Sequence, residues 1–303
     1  MIATAISSVV TNGRAAGNRA IDLRVEGGIT LRLLPDRGLD AGDAWFAGLP
    51  LDWRSPVGET ASVADDWMLS FGGGLMTTCG LRNVGVPSEG HGQHGDYTFR
   101  RADVEAVERS GDALIVQGRI AEVAALGRHL EVERTWRTHA GQGLVQLEDV
   151  VTNHGDALEP ALQLYHVNLG PPVWAEGAEL ALDARATLPR DADAEPYADA
   201  WQSAPALMPG APERVFEHVV TPGRDGWCSA TVRGSGLEVM VRWDAATMPR
   251  MWQWVHPSYG VLGLEPANCS VLGAAHDRAE GRLPELAPGE ERRTRLEIRA
   301  RRV

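Results

Sequence analysis

The sequence predicts an all-β protein built from antiparallel strands, either a sandwich of two sheets or a large two-sheet barrel. Apolar and polar residues alternate in many short segments, which is typical of strands with one buried face. Turns rich in Gly, Pro, Asp and Ser separate these segments, and the chain contains 34 Gly and 18 Pro. Convincing amphipathic helices are almost absent, and only residues 102–107 and 191–201 are candidates for short helical turns.

The alternating segments define candidate strands along the whole chain. They comprise residues 21–25, 29–33, 129–133, 237–243 and 295–300. Strands do not alternate with helices, and no G-x-G-x-x-G motif follows a strand, which excludes a Rossmann dinucleotide site. Residues 189–212 are rich in Ala, Asp and Pro and are interpreted as a surface excursion. We therefore expect a single domain over residues 1–303.

The composition restricts the classes of partner and chemistry. The chain has 41 acidic and 29 basic residues and a net charge of -12, which argues against binding to nucleic acid or to an anionic membrane. It contains no Lys, which excludes Schiff-base chemistry and a P-loop lysine. The three cysteines are scattered, and no apolar run reaches the length of a membrane helix. These features predict a cytoplasmic protein without a disulfide framework.

Two glycine-rich segments lie in the first third of the chain. Residues 70–75 (SFGGGL) are interpreted as a tight bend, because no helix start follows to make a phosphate cradle. Residues 89–96 (EGHGQHGD) carry His91 and His94 in a loop that is unsuited to filling a core. Three interpretations of these histidines stay open: substrate hydrogen bonding, metal ligation, or a plain polar loop.

Further candidate side chains lie in the predicted strands. His166 and Asn168 lie two residues apart in 163–170 (QLYHVNLG), so both could reach one ligand from the same strand face. Glu265 ends an apolar run before a proline, and burial would raise the pKa of its carboxyl toward that of a general base working near neutrality. The alternative for Glu265 is an ion pair at the end of the strand. Gln253 in 252–256 (WQWVH) could bind hydroxyls. Arg37 could bind a hydroxyl or an acidic substituent, or pair with a buried carboxylate.

In combination these motifs resemble the galactose-mutarotase-like superfamily, of which the aldose 1-epimerases are the best-known members. The likeness is closest to an uncharacterised branch of epimerase-related proteins, and it extends from about residue 32 to the end of the chain. The runs that carry it are residues 36–40 (DRGLD), 71–75 (FGGGL), 78–81 (TCGL) and 263–268 (GLEPAN). The resemblance implies the large antiparallel β-sandwich, or supersandwich, of that superfamily.

The resemblance also implies roles for three residues. His166 would be the general acid, Glu265 the general base, and His94 would hold the sugar ring. Two features depart from the epimerase pattern. Residues 93–96 read QHGD in place of Leu-His-Gly-Gly, and the expected His-x-Tyr-Phe-Asn is shortened to the HVN of residues 166–168.

We therefore expect a carbohydrate-binding isomerase of the aldose 1-epimerase type that opens the sugar ring by proton transfer. Two groups on opposite sides of the anomeric carbon would suffice, without a metal or cofactor. The expected partner is a monosaccharide or sugar derivative, with a homodimer left open. One alternative is a non-catalytic carbohydrate-binding protein of the same fold. Another is a metal-dependent isomerase with His91, His94, His166 and Glu265 as ligands. The substrate-binding candidates are His94, His91, Arg37, Asn168 and Gln253.

Overall fold

Two large antiparallel sheets face each other across an apolar core. The computed structural model describes residues 2–61 and 66–303 of the chain. Strands account for 53% of the residues and helices for 5%, so the prediction of an all-β fold is confirmed. The expectation of one domain over residues 1–303 stays a prediction.

In the described residues there are 23 strands, many of them only a few residues long. In chain order they are β1 (Ala3–Val9), β2 (Arg19–Val25), β3 (Thr30–Leu34), β4 (Asp40–Phe46), β5 (Leu49–Pro50), β6 (Trp53–Arg54), β7 (Gly73–Gly74), β8 (Met76–Leu81), β9 (Ala102–Ser110), β10 (Ala113–Val123), β11 (His129–His139), β12 (Leu144–Asn153), β13 (Glu159–Pro160), β14 (Leu162–Leu169), β15 (Glu179–Leu182), β16 (Ala184–Pro189), β17 (Arg214–Val220), β18 (Trp227–Gly234), β19 (Leu237–Asp244), β20 (Arg250–His256), β21 (Val261–Ala267), β22 (Glu285–Leu286) and β23 (Glu291–Arg302). The α-helices are α1 (Trp67–Ser70) and α2 (Ala274–Ala279), and short 3-10 turns span Tyr97–Phe99 and Glu195–Tyr197.

The first sheet has 11 strands in the order β1-β2-β3-β4-β8-β14-β21-β20-β17-β16, with β5 paired to β4. The second sheet has eight strands in the order β15-β18-β19-β23-β12-β11-β10-β9. Two small ribbons, β6-β7 and β13-β22, lie outside these sheets. Two stacked sheets with antiparallel neighbours form the predicted sandwich rather than the alternative barrel.

The core between the sheets contains a buried ionic cluster among its apolar side chains. Arg134 of β11 is fully buried and contacts Asp40 of β4 and Asp149 of β12, each at 2.7 Å. Tyr165 of β14 donates its hydroxyl hydrogen bond to Asp149 at 2.8 Å. The cluster therefore joins both sheets. The ion pairs offset the desolvation cost of burying these charges.

The centre of the first sheet is covered on both faces. Every residue of β8, β14 and β21 is buried, so these strands do not show the exposed alternate positions of a one-sided sheet. One face meets the core between the sheets. The outer face meets a second, smaller apolar cluster, which includes Trp67 and Phe71 from the segment before β7. This covered outer face provides a partly enclosed place for polar side chains from the central strands.

One of the two helical candidates is wrong. Residues 102–107 belong to strand β9, which pairs with β10 along its length. Their sequence fits both a helical and an alternating pattern, and strand pairing decides between them. Within 191–201 the structure has only the turn Glu195–Tyr197. In residues 2–61 and 66–303 no helix combines the length and apolar character needed to cross a bilayer.

Candidate active site

A cavity of about 790 Å³ opens on the outer face of the first sheet. Strands β14, β21 and β20 form its floor and contribute His166, Glu265 and Trp254. Loops and the short helix α1 form its walls. The cavity falls within the range of about 300–1,000 Å³ that is usual for small-molecule sites, and few polar groups converge in it.

Strand register brings His166 and Glu265 together. The pairs Leu164↔Ala267 and Val167↔Leu264 place the two residues across from each other on the neighbouring strands β14 and β21. Cross-strand neighbours on one face lie within reach of each other. Nε2 of His166 lies 3.2 Å from Oε1 of Glu265, and both side chains are almost fully buried. The two side chains therefore touch and do not face each other across a cleft, which corrects the expectation of groups on opposite sides of the anomeric carbon.

Gly263 makes room for this contact. A Cβ atom at position 263 would lie 2.7 Å from Oε1 of Glu265 and 2.9 Å from Cε1 of His166. Either approach is closer than packed side chains permit. The glycine two residues before Glu265 therefore leaves space for the carboxyl group and the imidazole.

Burial shifts the pKa values of the pair in opposite directions. It raises the pKa of Glu265 to about 8, and the nearby carboxylate of Glu213 adds to the effect. It lowers the pKa of His166 to about 4, partly opposed by the side chain of Asn168. Near neutral pH the pair therefore holds one proton, which burial places on Glu265.

Asn168 connects strand β14 to the glycine-rich segment at β7. Its Nδ2 donates to the carbonyl oxygens of Gly74 and His166, each at 3.0 Å. Nδ1 of His166 and Oδ1 of Asn168 are buried and make no hydrogen bond within the described residues. Asn168 is fully buried and does not line the cavity, so the expectation that it reaches the ligand is not supported.

One side of the cavity, here called the apolar half, is lined by Trp67, Met68, Val86, Pro87 and Leu272. His94 lies at its boundary with the floor, 6.0 Å from His166 and 4.7 Å from Trp67 between ring centroids. Its Nδ1 accepts a hydrogen bond from the backbone of Gly85 at 3.3 Å. Burial lowers the pKa of His94 to about 3, so this imidazole is neutral near neutral pH.

The opposite side, here called the charged half, is lined by Arg190, Asp191, Glu213 and His256. The Arg190 guanidinium lies 2.6 Å from Asp191 and 2.7 Å from Glu213. Trp254 donates its indole N–H to Glu213 at 2.8 Å and packs edge-on against His166. On the floor, His166 thus lies between His94, on the side of the apolar half, and Trp254, on the side of the charged half.

Three further predicted substrate-binding residues lie outside the cavity. His91 is in the same loop as His94, but only its backbone bonds, to Ser88, are present. Arg37 is buried on the far side of the Gly72–Gly74 segment, where its guanidinium donates to the carbonyl of Ser70. Gln253 is buried between His218 and Trp201 and hydrogen-bonds both.

Four lining residues are not among the site residues that the sequence predicts: Trp254, His256, Arg190 and Glu213. Strand alternation could have identified the first two, because Trp254 and His256 share the face opposite to that of Gln253. Arg190 lies within the segment that was interpreted as a surface excursion, and Glu213 follows it. They are revealed only by their ion pair within the charged half, which joins two residues 23 positions apart in sequence.

The alternative metal site is not assembled. Among the residues that the structure describes, no group of three or more His, Cys, Asp or Glu side chains is arranged to hold a metal ion. His91 lies away from the other three proposed ligands, while His166 and Glu265 contact each other. The donor set therefore does not fit the predicted four-ligand centre.

The same fold occurs in several known structures. A Klebsiella pneumoniae protein, provisionally described as an aldose 1-epimerase, superposes with a TM-score of 0.90 at 21% identity, covering 98% of this chain and 87% of the other. A galactose mutarotase-like protein from Clostridium acetobutylicum gives 0.71 at 11% identity, covering 99% of both chains. Galactose 1-epimerase from Lactobacillus acidophilus gives 0.63 at 12% identity, also covering 99% of both.

These likenesses, at identities below 25%, define the fold as the galactose-mutarotase-like β-sandwich and do not by themselves define an activity. No curated protein sequence is significantly similar to the chain. Residues 15–300 match a family described as a domain of unknown function, DUF4432. The chain belongs to that family.

Proposed function

We propose that this protein interconverts the anomers of a reducing sugar by general acid and base catalysis. The observation that carries the proposal is the contact of His166 with Glu265 at 3.2 Å on the floor of a partly enclosed cavity. Catalysis by a general acid and a general base requires one protonated and one unprotonated group at the same pH. Neighbouring titratable groups meet this requirement when their environments shift their pKa values in opposite directions. The aromatic side chains of Trp53 and Trp254 offer apolar surfaces beside the pair.

The side-by-side arrangement suits the two oxygens of a hemiacetal. The anomeric hydroxyl and the ring oxygen are bonded to the same carbon, so adjacent protein groups can address both from one side. With the proton on Glu265, ring opening transfers it to the ring oxygen, while His166 accepts the hydroxyl proton. The C1–O5 bond breaks and a carbonyl group forms at C1. This order reverses the roles that the family resemblance implies.

Ring closure restores the starting state. Rotation about the C1–C2 bond presents the other face of the aldehyde, the oxygen on C5 attacks it, and both protons return to their original groups. The pair begins and ends with one proton, so no external acid, base or cofactor is consumed. His94, neutral near pH 7, supplies a ring nitrogen for a hydroxyl of the bound sugar.

The test is anomer-exchange NMR on freshly dissolved aldoses with Glu265→Gln and His166→Gln. Each amide keeps a similar shape but cannot exchange the proton, so exchange should fall by about 10²–10⁴-fold. Glu238→Gln is the matched control, because Glu238 is also buried but lies on β19 of the other sheet. Its exchange rate should equal that of the parent.

Sugar binding is measured on the same variants by calorimetry. Binding that persists in Glu265→Gln while exchange is lost supports the proposal. Full exchange in either amide variant would remove that residue from the mechanism. Binding by the parent protein without any acceleration of exchange would favour the alternative of a non-catalytic carbohydrate-binding protein.

A further inference from the structure

The cavity has more volume than a single unsubstituted sugar fills. A hexose has twelve non-hydrogen atoms, which need no more than about 360 Å³ even at the roughly 30 Å³ that one water occupies in the liquid. The cavity volume is about 790 Å³. More than half of the space therefore remains for another part of the ligand.

The two halves of the cavity differ in chemistry. The charged half offers hydrogen-bonding groups from Arg190, Glu213 and His256, which suit the hydroxyls of a sugar ring. The apolar half exposes Met68, Val86 and Leu272, whose exposed fractions are 62%, 47% and 37%. Exposed apolar side chains that line one wall of a ligand cavity mark a surface for an apolar group.

The apolar wall is built from segments that hold each other in place. Val86 donates its backbone N–H to Val271 at 3.1 Å, and Gly85 bridges to Leu272, so these two loops run side by side. Trp67 of α1 packs on His94, which Gly85 contacts through its backbone. The wall is therefore preformed and continuous with the floor at His94.

The charges favour a neutral ligand. Arg190 is the only cationic Arg or Lys side chain among the lining residues that the structure describes, and two carboxylates already neutralise it. Asp191 and Glu213 together exceed its charge. A phosphate or carboxylate on the sugar would lack a free cationic partner and would face this excess of negative charge.

The position of the acid–base pair decides where the apolar group is attached. If the anomeric carbon lies at His166 and Glu265, and the ring fills the charged half, only substituents on C1 or C2 point back toward the apolar half. The oxygen on C1 must stay unsubstituted for the ring to open. Gln93 lines the cavity next to His94, and its amide could bind a polar group of the substituent close to its attachment at C2.

We infer that the substrate is a neutral reducing sugar with an apolar acyl group attached at C2, and that the apolar half binds this acyl group. The inference rests on the proposed anomer interconversion for the placement of C1. Acyl linkage supplies one polar group near Gln93, followed by a chain that Met68, Val86 and Leu272 can cover.

The experiment uses a series of 2-acylamino-2-deoxyglucoses, and their galactose counterparts, with acetyl, butanoyl and hexanoyl chains. The parent compound without a substituent is the corresponding 2-deoxyhexose. Calorimetry gives Kd, and anomer-exchange NMR gives kcat/KM. We expect both affinity and kcat/KM to rise by about fourfold for each added methylene, the gain that corresponds to burying one CH₂ group.

Met68→Ser and Leu272→Ser should reduce this increase to less than twofold per methylene. Both side chains are substantially exposed, so their loss removes little packing. The measured quantity is the slope with chain length, which a uniform loss of activity leaves unchanged. Leu126→Ser is the control, because Leu126 is 92% exposed and lies outside the cavity, and this variant should retain the parent slope.

The outcomes separate this inference from the proposed function. If aldoses exchange faster but affinity does not depend on chain length, the acyl subsite is refuted and the proposed activity stands. If affinity rises with chain length but no sugar exchanges faster, the subsite stands and the proposed activity is refuted. A slope that survives in both serine variants would also refute the apolar half as the acyl subsite.

Discussion

Replacing Glu265 with Gln should make the protein more stable at alkaline pH, although the substitution removes a proposed catalytic group. Burial raises the pKa of Glu265 from 4.5 in the unfolded chain to about 8 in the folded protein. Between these values the folded protein holds a proton that the unfolded chain has released. The free energy of unfolding therefore decreases as pH rises from about 4.5 to about 8, and it stays reduced above that.

The magnitude follows from the size of the shift. At about 1.4 kcal/mol for each pKa unit, ionising Glu265 in the folded protein costs about 5 kcal/mol. The amide side chain of the Glu265→Gln variant carries no charge at any pH and avoids this cost. At about 2 °C for each kcal/mol, the variant should gain roughly 10 °C in Tm relative to the parent between pH 4.5 and pH 9.

The assay is thermal unfolding of parent and Glu265→Gln at several pH values from 4.5 to 9. Glu238→Gln serves as the control, since hydrogen bonds from Arg301 and Arg233 lower the pKa of Glu238 and keep it ionised over this range. Its difference from the parent should not change with pH. If the Tm difference for Glu265→Gln is equally constant, Glu265 ionises freely in the fold and the reasoning about its proton is wrong.

Other predictions concern the same pair and the buried ionic cluster. Burial lowers the pKa of His166 from 6.5 to about 4 in the folded protein, so the free energy of unfolding decreases as pH falls from 6.5 toward 4. Denaturant titrations should show that this decrease is smaller by about 3 kcal/mol in His166→Gln. The rate of anomer exchange should be flat between about pH 4 and pH 8, because the pair holds one proton only there. Gly263→Ala should lower exchange at least tenfold and cost about 1–3 kcal/mol in chemical unfolding, since its Cβ would meet Glu265 at 2.7 Å. Arg134→Met should cost about 3–5 kcal/mol in the same assay, because Asp149 loses its buried partner. An exchange rate that varies between about pH 4 and pH 8 would contradict the assignment of one shared proton, and an unchanged value in any of the other three measurements would contradict the assignment that it tests.

The sequence predicts the fold well because the strand pattern is local. Alternation in 21–25 and 237–243 reports directly which face of each strand is buried, and both segments are strands in the structure. The pattern of residues 102–107 fits both a helix and a strand, and only pairing with β10 decides between them. The complete burial of β14 and β21 was also not evident, since it depends on loops that cover the outer face.

The candidate site could be predicted only in part, for a related reason. His166 and Glu265 are identified by their strand context and by the family resemblance, and they lie together. The amide of Gln253 suits hydroxyl binding by residue type, but Gln253 lies on the strand face opposite to Trp254 and His256, which line the cavity. No pattern in the neighbouring sequence indicates that Arg190 lines the cavity, because its partner Glu213 lies 23 residues away in sequence.

The division between floor and walls has an evolutionary consequence. His166 and Glu265 are held by backbone pairing at the centre of a sheet, whereas the walls come from α1 and from loops around residues 85–94, 190–213 and 271–272. Loops tolerate insertions and substitutions far better than central strands do. Relatives with the same pair and different wall segments could therefore bind different substrates while keeping one proton-transfer chemistry. Within such a family, differences in substrate would follow the sequences of the loops and not those of the strands.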